Sequence, residues 1–394
     1  MSLSALSRNL IFRWLLSIVL IAFLVGSTSA LFLYLLNAVT NYRQQHLVLI
    51  YLLPLAGVFI VWLYQRYGSA SQGGNKLVLA EFKAPSAVLP FLMAPLIFVT
   101  TLITHLFGGS AGREGTAIQY GATIADQFSR FLPGSAEDRR TLLSCGIAAG
   151  FASLFGTPWA GLFFAIELVG WRYFNYKRLL ATMATAFLAF YVCNIYGNQH
   201  THYPQLTDLP TMWSWLHFGS LLLAAAFFGC TAYIFIQFNS YLHQAFSFIK
   251  QPLFRPILGG SIVVAWVLLS HTTRHIGLGI PTLVSAFDSE LPAYDFAVKL
   301  ILTTITLSCG FKGGEVTPLF FIGATLGNAL ALFIPLPMAL LVAMGFVAVF
   351  AGSTKTPLAC AIMGAELFGV DVLPWVLVAC VVAYVLSGKK SIYS

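Results

Sequence analysis

Two long, mostly apolar runs, residues 10–36 and 47–64, decide what this chain can fold into. A membrane-spanning β-strand needs only about 9–11 residues, whereas a helix needs about 17–25 mostly apolar ones to cross a bilayer. Inside hydrocarbon every backbone N–H and C=O must be paired within its own segment, so runs of this length can only be helices. Of the 394 residues 58% are hydrophobic and only 9% charged. A soluble protein carries about 25% charged residues. The mean hydropathy of +0.83 agrees, and no polar stretch is longer than a loop. The chain is therefore predicted to be an all-α integral membrane protein.

The net charge of +8 raises a nucleic-acid partner as a possibility, but the basic residues lie singly or in pairs at segment edges. Arg8, Arg13, Arg66, Arg139, Arg140, Lys177, Arg178, Lys389 and Lys390 fit positive-inside anchoring in a lipid bilayer, and no basic run could neutralise several phosphates. Arg8 and Arg13 at one end and Lys389 and Lys390 at the other place both termini in the cytoplasm, in a multi-pass protein of the cytoplasmic membrane. The N-terminal apolar run is too long for a signal peptide and lacks a cleavage site. The six cysteines sit in or beside apolar runs without a Cys-x-x-Cys pair, and only His200-x-His202 has a ligand-like spacing. Neither pattern calls for a metal or a cofactor.

One stretch breaks the apolar pattern most sharply. Gly108, Gly109, Gly112 and Gly115 fall within eight residues, surround Arg113 and Glu114, and precede a helix predicted through Ala117, Ile118, Gly121 and Ala122. A glycine-rich loop opening a helix offers free N–H groups and the positive end of the dipole to an anion. Glu114 is itself an anion at that end. A carboxylate at bilayer depth costs on the order of 2.5–3.5 kcal/mol and marks function. Pairing with Arg113 is the structural alternative, disfavoured because adjacent residues on a helix do not face each other.

The pattern recurs. Gly112-Arg113-Glu114-Gly115-Thr116 is matched by Gly313-Gly314-Glu315-Val316-Thr317, and Gly121-Ala122-Thr123 by Gly323-Ala324-Thr325. Thr157-Pro158 with Glu167-Leu168 is matched by Thr356-Pro357 with Glu366-Leu367, all at a nearly constant spacing. The chain is expected to comprise an N-terminal helix (1–45, with 41–46 as a loop), a first repeat (46–195), a connection (196–212) and a second repeat (213–394). Broken helices at matching positions point to a transporter whose site lies at the repeat interface, with helix starts near 75, 115 and 316 converging on one anion.

These residues resemble a known family. Gly112-Arg-Glu-Gly-Thr116 is similar to the Gly-Arg/Lys-Glu-Gly-Pro signature of the CLC anion channels and transporters, and Gly314-Glu-Val-Thr-Pro318 to their Gly-x-Phe-x-Pro signature. The resemblance covers nearly the whole chain. It implies a homodimer with one pore per subunit, each subunit a CLC-type inverted repeat of broken and tilted helices. Where chloride members have Gly-Ser-Gly-Ile-Pro, this chain has Gly74-Asn75-Lys76-Leu77-Val78; Thr116 replaces a proline, and Glu315 and Thr317 replace apolar residues. These departures resemble the CLC-F branch, which exchanges fluoride for protons. The inner proton-relay glutamate of chloride/proton exchangers is here Leu168.

The resemblance implies Glu114 as the gating and proton-carrying carboxylate. It implies anion contacts from Asn75, Gly115, Glu315, Val316, Thr317 and Tyr393. Each has a structural alternative: a helix N-cap for Asn75, a pair with Lys312 for Glu315, an interfacial aromatic for Tyr393. Glu167 and Glu366 read as capping or pairing residues. Two other functions compete with fluoride/proton antiport. One is a chloride or other halide transporter, or a passive channel, on the same fold. The other is an intramembrane protease, because Gly108-x-Ser110-x-Gly112 fits a nucleophile elbow with His105, His271 or His275 as base.

Overall fold

Helix α1 begins at Leu3 and ends at Gln45. It runs through positions 41–45, expected as loop, because Arg43, Gln44 and Gln45 are good helix formers and carry the helix beyond its apolar run. The computed structural model describes residues 3–393 except 133, 198–199, 208 and 213, with side chains from residue 9 onward. The side chain of Arg8 and the boundary residues Trp213 and Ser394 lie outside the described residues.

The remaining helices are α2 (Leu53–Tyr67), α3 (Gly74–Lys83), α4 (Met93–Leu106), α5 (Glu114–Gln127), α6 (Ala136–Phe155), α7 (Pro158–Val169) and α8 (Tyr176–Ile195). They continue as α9 (Trp215–Ser247), α10 (Phe254–Ser270), α11 (Ile280–Ser285), α12 (Asp295–Ser308), α13 (Val316–Leu330), α14 (Met338–Thr354), α15 (Pro357–Phe368) and α16 (Leu373–Leu386). Among the described residues four segments, Asn9–Gln45, Leu47–Tyr67, Tyr176–Ile195 and Trp215–Ser247, are long and apolar enough to cross a membrane. The others are shorter. A 12-residue helix such as α7 is about 18 Å long against a hydrocarbon core of about 30 Å, so such a helix cannot cross the core alone.

Local structure recurs along the chain. Both α7 and α15 have 12 residues, open on a Thr-Pro pair (Thr157-Pro158, Thr356-Pro357) and close on a glycine with positive φ, Gly170 at 99° and Gly369 at 104°. Helices α6 and α14 both end in the left-handed region, at Gly156 (φ 80°) and Lys355 (φ 68°). Helices α4 and α12 have 14 residues each, and α5 and α13 follow them after glycine-rich loops.

One compact unit comprises Met1–Leu35, Arg66–Phe98 and Thr116–Thr201. Helix α6 is its buried centre and packs against α7 and α8. Gly121 and Gly146 are glycines by necessity: a Cβ on either would overlap the carbonyl oxygen of the other. Pro85 and Pro90 keep residues 84–92 out of helix, and α4 starts only at Met93. That segment's polar groups are satisfied by carboxylates. The Leu89 N–H donates to Asp126 at 2.7 Å and the Ser86 N–H to Glu81 at 2.8 Å. Arg139 ties both acids together, at 2.8 Å from each.

The other unit comprises Leu36–Gln65, Val99–Gly115 and His202–Ser394. Its centre is the pair α13 and α14, with α9 and α16 packed on α14. Every residue of α13 is buried. The Phe320 and Phe346 rings stack at 4.1 Å, and Gly323 faces Gly345 as closely as Gly121 faces Gly146.

Candidate functional site

The site forms in this second unit, where two glycine-rich loops meet. After α4 the chain turns at Gly108 (φ 86°) and runs extended to Gly112. There the Gly112 N–H donates to the Gly314 carbonyl at 2.5 Å, and the Gly314 N–H donates back to Gly112 at 2.8 Å. This reciprocal bridge is the one β-type pairing among the described residues. Side chains cannot fit: a Cβ on Gly314 would lie 2.5 Å from the Gly115 nitrogen, and one on Gly112 would lie 2.8 Å from the Gly314 oxygen.

Glu114 is the first residue of α5 and is 0% exposed. Its carboxylate reaches the start of another helix. The Thr317 N–H donates to Oε2 at 2.9 Å, and the Thr317 hydroxyl lies 2.6 Å from both oxygens. Thr317 is the second residue of α13, whose own N-cap, Glu315, makes no side-chain capping bond. Glu114 therefore performs for α13 what a capping carboxylate does within one chain turn, accepting a first-turn N–H at the positive end of the dipole. Such a seat takes any small anion with room for the same donors.

Arg113 contributes its N–H to Oε2 at 3.2 Å and its Nε to Oε1 at 3.4 Å. This corrects the separation expected from sequence. Arg113 precedes the helix, so the rule for helical neighbours does not apply to it.

Val316, 0% exposed, opens α13, and Gly115 is the second residue of α5. Glu315 is half-buried, while Lys312 places its ammonium 4.2 Å from the centre of the Tyr64 ring. Tyr393 is buried at 8% exposure, not an exposed interfacial aromatic. Its hydroxyl has no hydrogen-bond partner among the described residues. The tail that carries it docks through the Ile392 N–H onto the Ser353 carbonyl at 3.0 Å. Asn75 belongs to the first unit. It is the second residue of α3, whose N-cap is Gly73, so the capping alternative does not hold. The Asn75 Oδ1 is buried without a hydrogen-bond partner among the described residues.

Ser110 does not form a nucleophile–base pair. Its hydroxyl donates to the His275 carbonyl at 2.9 Å and lies 3.0 Å from Thr303 Oγ1, while the His275 ring faces Asp295 at 2.9 Å.

Sequence reading passed over Lys299, a fully buried cation in α12. Its ammonium donates to the carbonyls of Gly277 at 2.7 Å and His275 at 3.1 Å. The His275 carbonyl also receives Ser110, and the Gly277 N–H donates to Gly109 at 3.1 Å, so Lys299 braces the loop that leads to Glu114. A lysine within the apolar run 296–307 was the available signal.

Comparison with known proteins bears on the fold and the family. The family model for voltage gated chloride channels matches residues 56–388. The "Chloride/fluoride channel protein" of Pseudomonas syringae pv. tomato is 41% identical over 393 residues, covering 97% of this chain and 85% of its own length. The crystal structure of a CLC-type fluoride/proton antiporter superposes with a TM-score of 0.91 at 35% identity, covering 100% of this chain and 98% of that one. A slow cyanobacterial Cl⁻/H⁺ antiporter shares the fold at 21% identity, with a TM-score of 0.84 and coverage of 97% and 96%. The buried carboxylate at a glycine-flanked helix start thus sits in an all-α, multi-pass membrane fold, and the chain belongs to the CLC family of voltage-gated chloride channels.

Proposed function

We propose that this chain is a fluoride/proton antiporter that exports fluoride across the cytoplasmic membrane, with Glu114 as the gating and proton-carrying carboxylate. The observation that carries this reading is the Glu114 carboxylate seated on the first turn of α13, held by both polar groups of Thr317. The names borne by the 41% relative and by the 35% structural neighbour support fluoride as the substrate.

The physics of the seat is competition. A buried carboxylate and a fluoride ion repel each other in low dielectric, so one site holds one of them. Leaving the Thr317 donors unsatisfied costs about 1–3 kcal/mol each, so the carboxylate leaves when an anion replaces it. Protonation removes the charge that binds Glu114 to the helix start. The neutral side chain then moves away with its proton while fluoride takes its place. Fluoride is small and strongly hydrated and needs dense donors. Thr317, the amides of Gly115, Glu315 and Val316, the Tyr393 hydroxyl and the Asn75 amide would supply them. Each subunit of a homodimer would carry one such pore. The subunit is built from an N-terminal helix (1–45) and two repeats (46–195 and 213–394) joined by residues 196–212, with both termini cytoplasmic.

A second reading, a chloride or other halide transporter or a passive anion channel on the same fold, is supported by the channel name and the mention of chloride in the Pseudomonas syringae relative and by the family model for voltage gated chloride channels. Fluoride and chloride efflux from proteoliposomes, with and without a proton gradient, separates the two. Antiport gives fast fluoride efflux, little chloride efflux and proton movement opposite to fluoride. Fluoride efflux with no proton movement would establish the channel instead.

A further inference from the structure

A groove of about 430 Å³ lies on the first unit, where the start of α1 meets the turn that follows α5, at the opposite end of that helix from Glu114. Its walls are Leu16 and Leu20 from α1 and Phe128 and Phe131 from the turn, and its charged groups are Arg13 and Arg130. The walls are open to the surroundings: Leu16 is 45% exposed, Leu20 39% and Phe131 64%. They continue an apolar face of α1 through Phe12, Leu15 and Val19.

The two arginines differ from their neighbours. Arg139 meets Glu81 and Asp126, and Arg140 and Arg178 both meet Glu137. Arg13 and Arg130 have no acidic partner among the described residues. Arg13 stands near the start of a membrane-spanning segment, Asn9–Gln45, the depth at which headgroups lie. Guanidinium groups bind phosphate oxygens bidentately. Two of them beside an apolar trough match a ligand with an anionic head and hydrocarbon tails.

We propose that this groove is a binding site for an anionic phospholipid, its phosphate held by Arg13 and Arg130 and an acyl chain laid along Leu16, Leu20 and Phe131. Inorganic phosphate would use the charged end alone and leave the apolar walls uncovered. A zwitterionic lipid offers the same tails but adds a cation beside the arginines. The inference is independent of which ion the protein carries.

Native mass spectrometry of the purified full-length protein, with phosphatidylglycerol and phosphatidylcholine added in equal amounts, tests it. One phosphatidylglycerol should be retained about tenfold more than phosphatidylcholine. The double substitution Arg13→Gln with Arg130→Gln should abolish that preference, while Arg13→Lys with Arg130→Lys should keep most of it. Both variants change exposed side chains, and coincident gel-filtration profiles check their folding. Leu16→Asp, which leaves both arginines in place, should also reduce retention. Equal retention of the two lipids by the unsubstituted protein overturns the proposal, as does an undiminished preference in the glutamine variant. Displacement of the lipid by inorganic phosphate would make the groove a phosphate site. A changed oligomeric state with unchanged lipid retention would make it a seat for a second copy of the chain.

Discussion

Thr317 meets the Glu114 carboxylate twice, with its backbone N–H at 2.9 Å and its hydroxyl at 2.6 Å. The hydroxyl alone can be removed without changing the side chain's shape. Thr317→Val keeps the backbone donor and loses the charge-assisted bond, worth about 1.5–3 kcal/mol. Fluoride binding, followed by isothermal titration, should weaken by at least about tenfold. Thr317→Ser should bind as the parent does. Unchanged binding in the valine variant would remove Thr317 from the anion seat.

Glu114→Gln imitates the protonated side chain and cannot exchange its proton. Proteoliposomes carrying it should show no fluoride-driven proton flux, whatever residual fluoride leak remains. The measurement is internal pH beside a fluoride electrode. Coupled proton movement in this variant would assign the proton to another group.

Main-chain atoms leave Gly314 no room for a side chain, since its Cβ would lie 2.5 Å from the Gly115 nitrogen. Backbone cannot give way as a flexible side chain does. Gly314→Ala should destabilise the protein by more than about 2 kcal/mol, a large effect for one methyl group. Thermal unfolding in detergent reads it. Gly219→Ala is the control, because nothing lies within 4 Å of its added Cβ.

Lys299→Met removes the donor shared by the His275 and Gly277 carbonyls. His275 keeps the bond from Ser110, but Gly277 loses the shorter of the two lysine contacts. The expected loss is about 1–3 kcal/mol in thermal or denaturant unfolding. A glutamate there would add a buried charge facing carbonyl oxygens, and Lys299→Glu should not fold. Normal stability of the methionine variant would mean that the loop is held without the lysine.

Glu81 lies at the end of α3, outside the apolar spans. Burial pushes its carboxyl up, but bonds from Ser86, Arg139 and Ala87 outweigh that and hold it at about 2, below the ordinary 4.5. A carboxyl depressed by folding stabilises the folded state above its unfolded value, and that contribution fades as pH falls from about 4.5 towards 2. Between pH 5 and pH 3 the parent should lose more stability than Glu81→Gln, which has no such proton to take up. Equal losses would show that the Arg139 cluster does not respond to pH through Glu81.

What the sequence made legible was whatever backbone chemistry dictates locally. Glycine clusters before Glu114 and Val316 marked helix starts, and α5 and α13 begin there. Thr-Pro pairs marked the starts of α7 and α15. Errors came where tertiary partners decide. Lys299 vanished into an apolar run because its partners, two carbonyls about 22 residues upstream, leave no pattern in the chain. Arg113 was misjudged because the helix began one residue after it. Asn75 was weighed as a cap, yet the cap position falls two residues earlier, on Gly73, and the helix starts on Gly74. Helix ends are the least legible feature of a sequence, and the readings of Arg113 and Asn75 both hung on them.

The Gly112–Gly314 bridge is made of main-chain atoms only. It therefore constrains which positions must be glycine and says nothing about the side chains at 114, 315 and 317. Side chains at those positions can be exchanged while the scaffold that positions them stays fixed. A designer who wants another ion should therefore leave the two glycines alone, because a Cβ on either would strike main chain.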